Sequence, residues 1–201
     1  MSLQHARPRW RSHAIIASLL ATLILASCAT ATTDVAVEPP SGTDSYLADH
    51  GLAGLDARQI IEMLDTMPVS QRPSLIASVR PDELVLTDDQ AGASLPMPDD
   101  EFYLSLAPFR SQTHDCYFHS LTTCQGELAN IDVQVTVTDN DTGETLIDES
   151  RRTYDNGFLG LWLPRGVDAT LTVETGGQSA STTISTANPE DPTCLTTLQL
   201  T

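Results

Sequence analysis

From Phe102 onward the chain is written in a period of two. Ile131, Val133, Val135 and Val137 alternate with Asp132, Gln134, Thr136 and Thr138, the pattern of a strand with one buried and one wet face. Asp139-Asn140-Asp141-Thr142-Gly143 is a turn, and Thr145–Glu149 returns as a strand. Asp155-Asn156-Gly157 turns the chain again before Phe158–Leu163, which stops at Pro164. Ala169, Leu171 and Val173 alternate once more, Gly176-Gly177 suits a tight hairpin, and Ala180–Ile184 and Leu195–Leu200 follow. Six or seven short strands at this spacing predict an antiparallel β-sandwich, with Trp162 between Leu161 and Leu163 in its core. The acids of residues 139–143 do not make a calcium loop. An EF-hand needs Gly sixth and an acid twelfth, whereas Gly143 is fifth and Ser150 twelfth.

Residues 45–100 read differently. Asp56-Ala57-Arg58-Gln59 fits a capping box, and Ala57, Ile60, Ile61 and Leu64 then fall on one helical face. Met67-Pro68 ends that helix. Pro73 is expected to open a second one through Val79, closed by Arg80-Pro81 because the residue before proline is pushed out of the helical region. Leu84–Leu86 reads as a short strand and Leu95–Asp100 as a linker. The expected class is α+β: a mainly helical N-terminal domain over 45–100 and a β-sandwich domain over 101–201. The helical part is expected to serve either a homodimer or a docked partner.

The first 27 residues read as an export signal. Arg7, Arg9 and Arg11 precede an apolar stretch from Ala14 to Ala26, about 20 Å as a helix and too short for a hydrocarbon core of about 30 Å. Leu25-Ala26-Ser27-Cys28 resembles a bacterial lipobox, which makes Cys28 the expected lipidation site and the mature N-terminus. Residues 28–44 read as a flexible tether, with a reach of roughly 20–25 Å. Beyond Cys28 the chain carries seven Arg and no Lys against 27 acids, a net charge of −20. That excludes a nucleic-acid partner, which requires a basic footprint, and disfavours anionic lipid surfaces.

The chemistry is concentrated in His114-Asp115-Cys116-Tyr117-Phe118-His119-Ser120-Leu121-Thr122-Thr123-Cys124-Gln125-Gly126-Glu127. Two Cys and two His within eleven residues make a compact set of soft ligands, and thiolate sulfur selects Cu(I) and Zn. The eight-residue step from Cys116 to Cys124 is not a zinc-finger spacing. Cys194 is the candidate third sulfur, and His119, then His114, the candidate imidazole. Three readings stand open: a metal centre, a Cys116–Cys124 staple that leaves Cys194 buried and inert, and thiol redox chemistry without metal, with Arg110 nearby in sequence as a thiolate partner. His50 reads as a surface or packing residue. Gly-x-Ser-x-Gly, phosphate-loop and His-Glu-x-x-His motifs are absent.

These residues carry a family resemblance. Cys116-x-x-His119-Ser120-Leu121-Thr122-Thr123-Cys124-x-Gly126-Glu127, with Cys194-Leu195-Thr196-Thr197-Leu198, resembles the CueP family of exported copper-binding proteins. Gly54–Ile61, Val79–Leu84, Asp155–Phe158 and Trp162–Pro164 are similar to other parts of that family, so the resemblance runs from about Ser45 to Thr201. It implies a periplasmic or cell-surface copper protein of copper resistance, whose three cysteines match Cys116, Cys124 and Cys194. Thiolate chemistry makes Cu(I) the expected ion, with His119 the expected supplementary ligand. The resemblance also implies copper transfer to an exported cuproenzyme such as a superoxide dismutase, and Cu(II) reduction as the one activity in view. The lipobox is a departure from soluble members of the family and implies anchoring through Cys28.

Overall fold

A computed structural model describes residues 42–201. The signal segment, Cys28 and all but the end of the tether lie outside the described residues.

Two helices open the structure: α1 (Gly42–Asp49) and α2 (Ala57–Thr66). The capping box of α2 forms as the sequence predicts. Asp56 accepts from the Gln59 backbone N–H at 2.8 Å, and the Gln59 side chain accepts from the Asp56 N–H at 3.0 Å, so two otherwise orphaned donors are satisfied. A 3-10 turn (Val69–Gln71) leads into an antiparallel sheet of β1 (Ile76–Val79), β2 (Glu83–Thr87) and β3 (Gly92–Pro96). The expected helix from Pro73 to Val79 is therefore largely strand, and part of the expected linker is β3. Residues 45–100 combine helices with a sheet rather than being mainly helical. The physical reason lies in pairing: Ala77 and Val79 have partners in Leu86 and Leu84 across β2, all four are buried, and tertiary burial outweighs local propensity in so short a segment.

Seven further strands follow: β4 (Glu101–Leu106), β5 (Asp132–Asp139), β6 (Thr145–Arg152), β7 (Leu159–Pro164), β8 (Asp168–Thr175), β9 (Gln178–Ser185) and β10 (Cys194–Leu195). They make two sheets, β10-β4-β7 and β6-β5-β8-β9. Phe102, Leu104, Leu106, Leu159, Leu161 and Leu163 from the first meet Val133, Val135, Val137, Leu171 and Val173 from the second in one core. The α+β expectation holds, with a small helical N-terminal region ahead of a β-rich body. One pairing departs from the antiparallel pattern: β10 runs parallel to β4, with Cys194 beside Ser105. The expected last strand over 195–200 is shorter than its alternation suggests, continuing only as a bridge between Phe109 and Gln199.

The smaller sheet has work on both faces. Tyr103 joins a second core built from α1, α2 and β1–β3, against which Trp162 packs half-buried. Trp162 thus lies outside the core between sheets β10-β4-β7 and β6-β5-β8-β9, with the Arg58 guanidinium 4.5 Å above its ring. Tyr103 passes directly over Gly160, where a Cβ would fall 1.9 Å from the phenol oxygen. That glycine is what lets the phenol cross the strand and reach α2.

Candidate metal centre

The loop from His114 to Glu127 is fixed at three places. Glu127 accepts from the backbone N–H groups of Arg110 (2.6 Å), Ser111 (3.0 Å) and Gln112 (3.3 Å), and from the Ser111 hydroxyl. These donors, the Ser111 hydroxyl first, hold its carboxyl at about 2. In its middle the loop lies along the free edge of β1: Val79 N–H donates to the His119 carbonyl and Leu121 N–H to the Ala77 carbonyl, each at 2.8 Å. Near its end Gly126 and Gly157 cross so closely that a Cβ on Gly157, whose φ is +79°, would meet the Gly126 carbonyl oxygen at 2.6 Å. Only glycine is accommodated at such a position.

This clamping brings β10 to the loop. Thr193 and Cys194 both donate their N–H groups to the Tyr117 carbonyl, at 3.0 and 3.1 Å. The α-carbons of Cys116 and Cys194 then lie 5.7 Å apart, within disulfide range, and the two are bonded. Among the described residues Cys124 is the free thiol, its sulfur 3.6 Å from that of Cys116. The Cys116–Cys124 staple, one of the three readings of the sequence, is not formed; the bond runs instead between the loop and the final strand.

His119 completes the group. It is fully buried, packed at a tilt against Phe158 with ring centroids 4.7 Å apart, and its Nδ1 lies 3.8 Å from the Cys194 sulfur. The ligand atoms of Cys116, His119, Cys124 and Cys194 all fall within 4.8 Å of one another. His114 is not among them. It is exposed, 6.1 Å from Phe158 by ring centroids, on the outer side of the loop. Arg110 also points elsewhere, donating to Gln178 at 2.8 Å. His50 sits against Asp88 at 2.8 Å and on the Tyr46 ring, a packing role as expected.

The residue that local sequence reading does not find is Asp65. It occupies the buried face of α2 and is 1% exposed. One carboxylate oxygen meets His119 Nε2 at 3.1 Å, and the other accepts from the Tyr103 hydroxyl. The Arg72 guanidinium donates to the Asp65 carbonyl. Burial raises the Asp65 pKa, but the charge and hydrogen bond of His119 and the Tyr103 hydroxyl bring it net below the usual carboxylate range. Burial likewise opposes a charged His119, yet Asp65, followed by Cys124, holds it up at about 9. Burial also raises the Cys124 pKa, and the hydrogen bond and charge of His119, with the Ser120 N–H, pull it below the ordinary thiol value. The signal for Asp65 in the sequence is an acid in register with Ala57, Ile60, Ile61 and Leu64, on a face that should hold only apolar groups.

The donor set suits a soft metal. Three sulfurs and one imidazole match the preferences of Cu(I) and Zn. A ligating histidine characteristically gives its second nitrogen to a carboxylate, as His119 gives Nε2 to Asp65. Zinc-finger spacing and an oxygen-rich shell are both missing from this cluster.

Comparison with known proteins agrees with this chemistry. The family described as "Periplasmic copper-binding protein CueP" matches residues 59–199. A solved structure titled "Crystal Structure of S.CueP" is similar at 41% identity and a TM-score of 0.76, covering 81% of this chain and 99% of that one. No curated protein matches the chain. Among the described residues no helix is long and apolar enough to cross a membrane. The family match spans well over half the sequence, and the solved relative shares both the fold and two residues in five, so the chain belongs to the CueP family of periplasmic copper-binding proteins.

Proposed function

We propose that this protein holds Cu(I) through Cys116, Cys124, Cys194 and His119 in the cell envelope, lipid-anchored at Cys28, as a device of copper resistance. The observation that carries the reading is the convergence of three sulfurs and one buried imidazole nitrogen within 4.8 Å. Low-coordinate thiolate sites favour Cu(I), and thiolate binding shields it from the oxidants of an exported compartment. Among the described cysteines, the form with Cys116 and Cys194 joined offers only Cys124 as a thiol, so the copper-receptive form is the reduced one.

The same sulfurs supply a route for Cu(II) reduction. Two thiols and two Cu(II) give one disulfide, two Cu(I) and two protons, which balances atoms and electrons without a further reagent. Continued turnover then requires an outside reductant. Delivery to an exported cuproenzyme is the finer role that the family resemblance suggests. A second reading, thiol–disulfide exchange without metal, is favoured by one observation: a free thiol of lowered pKa beside a formed disulfide.

The deciding experiment is a Cu(I) competition titration of the reduced full chain against a chromogenic chelator. One tight site, weakened at least tenfold by each of Cys116→Ser, Cys124→Ser and Cys194→Ser, and less by His119→Ala, is the expected result. Weak binding indifferent to these changes would overturn the reading. Turnover of a disulfide substrate by the metal-free protein would then support the second. Fatty-acid labelling that is lost in Cys28→Ser tests the anchor separately.

A further inference from the structure

The two halves of the disulfide meet very different surroundings. Cys194 is 3% exposed, enclosed with Ala107 and Phe158, and its sulfur faces His119 Nδ1 at 3.8 Å. Cys116 is only half-buried and lines an open groove of about 410 Å³, together with Asp115, Tyr117, Thr196 and Thr197. Cys194 is not part of that lining. Tyr117 forms one wall and is 55% exposed, yet it is not loose: its hydroxyl donates to the Glu190 carbonyl at 2.6 Å, and its own carbonyl receives both N–H groups at the start of β10. The opposite wall is tied down as well, because the Thr113 hydroxyl donates to the Thr196 carbonyl at 2.7 Å. The groove is therefore a built approach to Cys116 and not to Cys194.

We infer that Cys116 is the modification site at which an exogenous thiol opens the Cys116–Cys194 disulfide, with Cys194 as the buried leaving group. Thiol–disulfide exchange depends on which sulfur is accessible and on how well the other leaves, and here burial and groove separate the two roles. The incoming thiolate forms a bond to the Cys116 sulfur, and the electron pair of the old S–S bond departs on Cys194. That new thiolate emerges beside His119. A second thiol then attacks the sulfur of the first reagent in the mixed disulfide. Cys116 is released as a thiolate, and the reagent leaves as its own disulfide. Two thiols are oxidised, one protein disulfide is reduced, and the two thiol protons replace the broken bond. The class of reagent is a thiol reductant able to place one sulfur in the groove. This inference rests on the copper reading only for its purpose, since opening the disulfide frees two of the proposed ligands.

The test uses the full chain in its oxidised form, with Cys28→Ser and Cys124→Ser so that no internal thiol rearranges the adduct. It is treated briefly with 2-mercaptoethanol, quenched in acid and mapped by peptide mass spectrometry. The expected result is a mercaptoethanol adduct on Cys116 in at least tenfold excess over Cys194. An adduct chiefly on Cys194, equal adducts on both, or a native chain that does not react while its urea-unfolded form does, would each overturn the inference. If Cys124→Ser fails to fold, the same mapping on the unmodified chain at the earliest quench times reads the same ratio. The outcomes stay separable from the copper reading, because Cu(I) titration of the fully reduced chain does not depend on which sulfur was attacked.

Discussion

Asp65 and His119 form a charged pair with almost no contact with water. Such pairs are held by geometry, and removing one partner strands the other at a cost of about 3 kcal/mol or more. Asp65→Asn should therefore lower stability by about 3 kcal/mol near neutral pH, measured by urea denaturation. The sign follows from both partners. His119 is raised to about 9, so its contribution is complete below the unfolded value near 6.5 and disappears as pH rises through about 9. Asp65 is lowered, so its contribution is present above its unfolded value and disappears as pH falls through its folded one. The stability gap between parent and variant should thus be widest from about pH 4 to 6.5 and close on the alkaline side; a gap that is flat to pH 10 would refute the pair. The sequence makes the sulfur cluster legible in part, because two of its cysteines, with His119, lie in one short loop and Cys194 is the one other cysteine beyond Cys28. It leaves Asp65 hidden because its partner lies 54 residues away, and its only local sign is an acid on an apolar helical face.

The capped helix α2 is the element that presents Asp65, and its start is set by local rules. Replacing Asp56 with Ala removes the side-chain acceptor for the Gln59 N–H, which typically costs about 1 kcal/mol. Asp56→Ala should lower the unfolding free energy by that amount in urea denaturation while leaving Cu(I) affinity within about twofold, since the cap is a whole helix away from the site. A large loss of affinity would show that the helix register depends on the cap. Capping is legible in sequence because it acts over three residues. The strands β1 and β3 are not: each is four or five residues long, neither alternates strictly, and Pro73 and Pro96 imitate a helix start and a linker. What decides them is pairing with β2, a contact between segments. The same holds for β10, whose alternation predicts a longer strand than the parallel pairing with β4 supports.

At the scale of the whole molecule, the sandwich is legible because alternating strands must bury one face each. The additional layer is less so. Phe102-Tyr103-Leu104-Ser105-Leu106 is buried throughout, a continuous run that signals a strand covered on both sides, yet nothing local says that Tyr103 and Trp162 meet the helices. The Cys116–Cys194 bond spans 78 residues and so ties the loop against β1 to the final strand across nearly all of the β-rich body. Closing a loop of that length restricts the unfolded chain by about 4 kcal/mol in the chain-entropy account. Reduction under strict metal exclusion should lower the stability of the protein by that order in urea denaturation, and Cu(I) should restore it by binding only the folded form. An unchanged midpoint on reduction would show that the bond does not constrain the unfolded state. The bridge has a consequence for lifetime in the envelope. If the site binds copper as proposed, sulfurs joined to each other and sulfurs holding metal should both keep the chain closed, whereas the reduced, vacant chain should open more often and be cut faster by proteases. Degradation would then remove idle receptors selectively, so that abundance follows the supply of metal without any dedicated sensor.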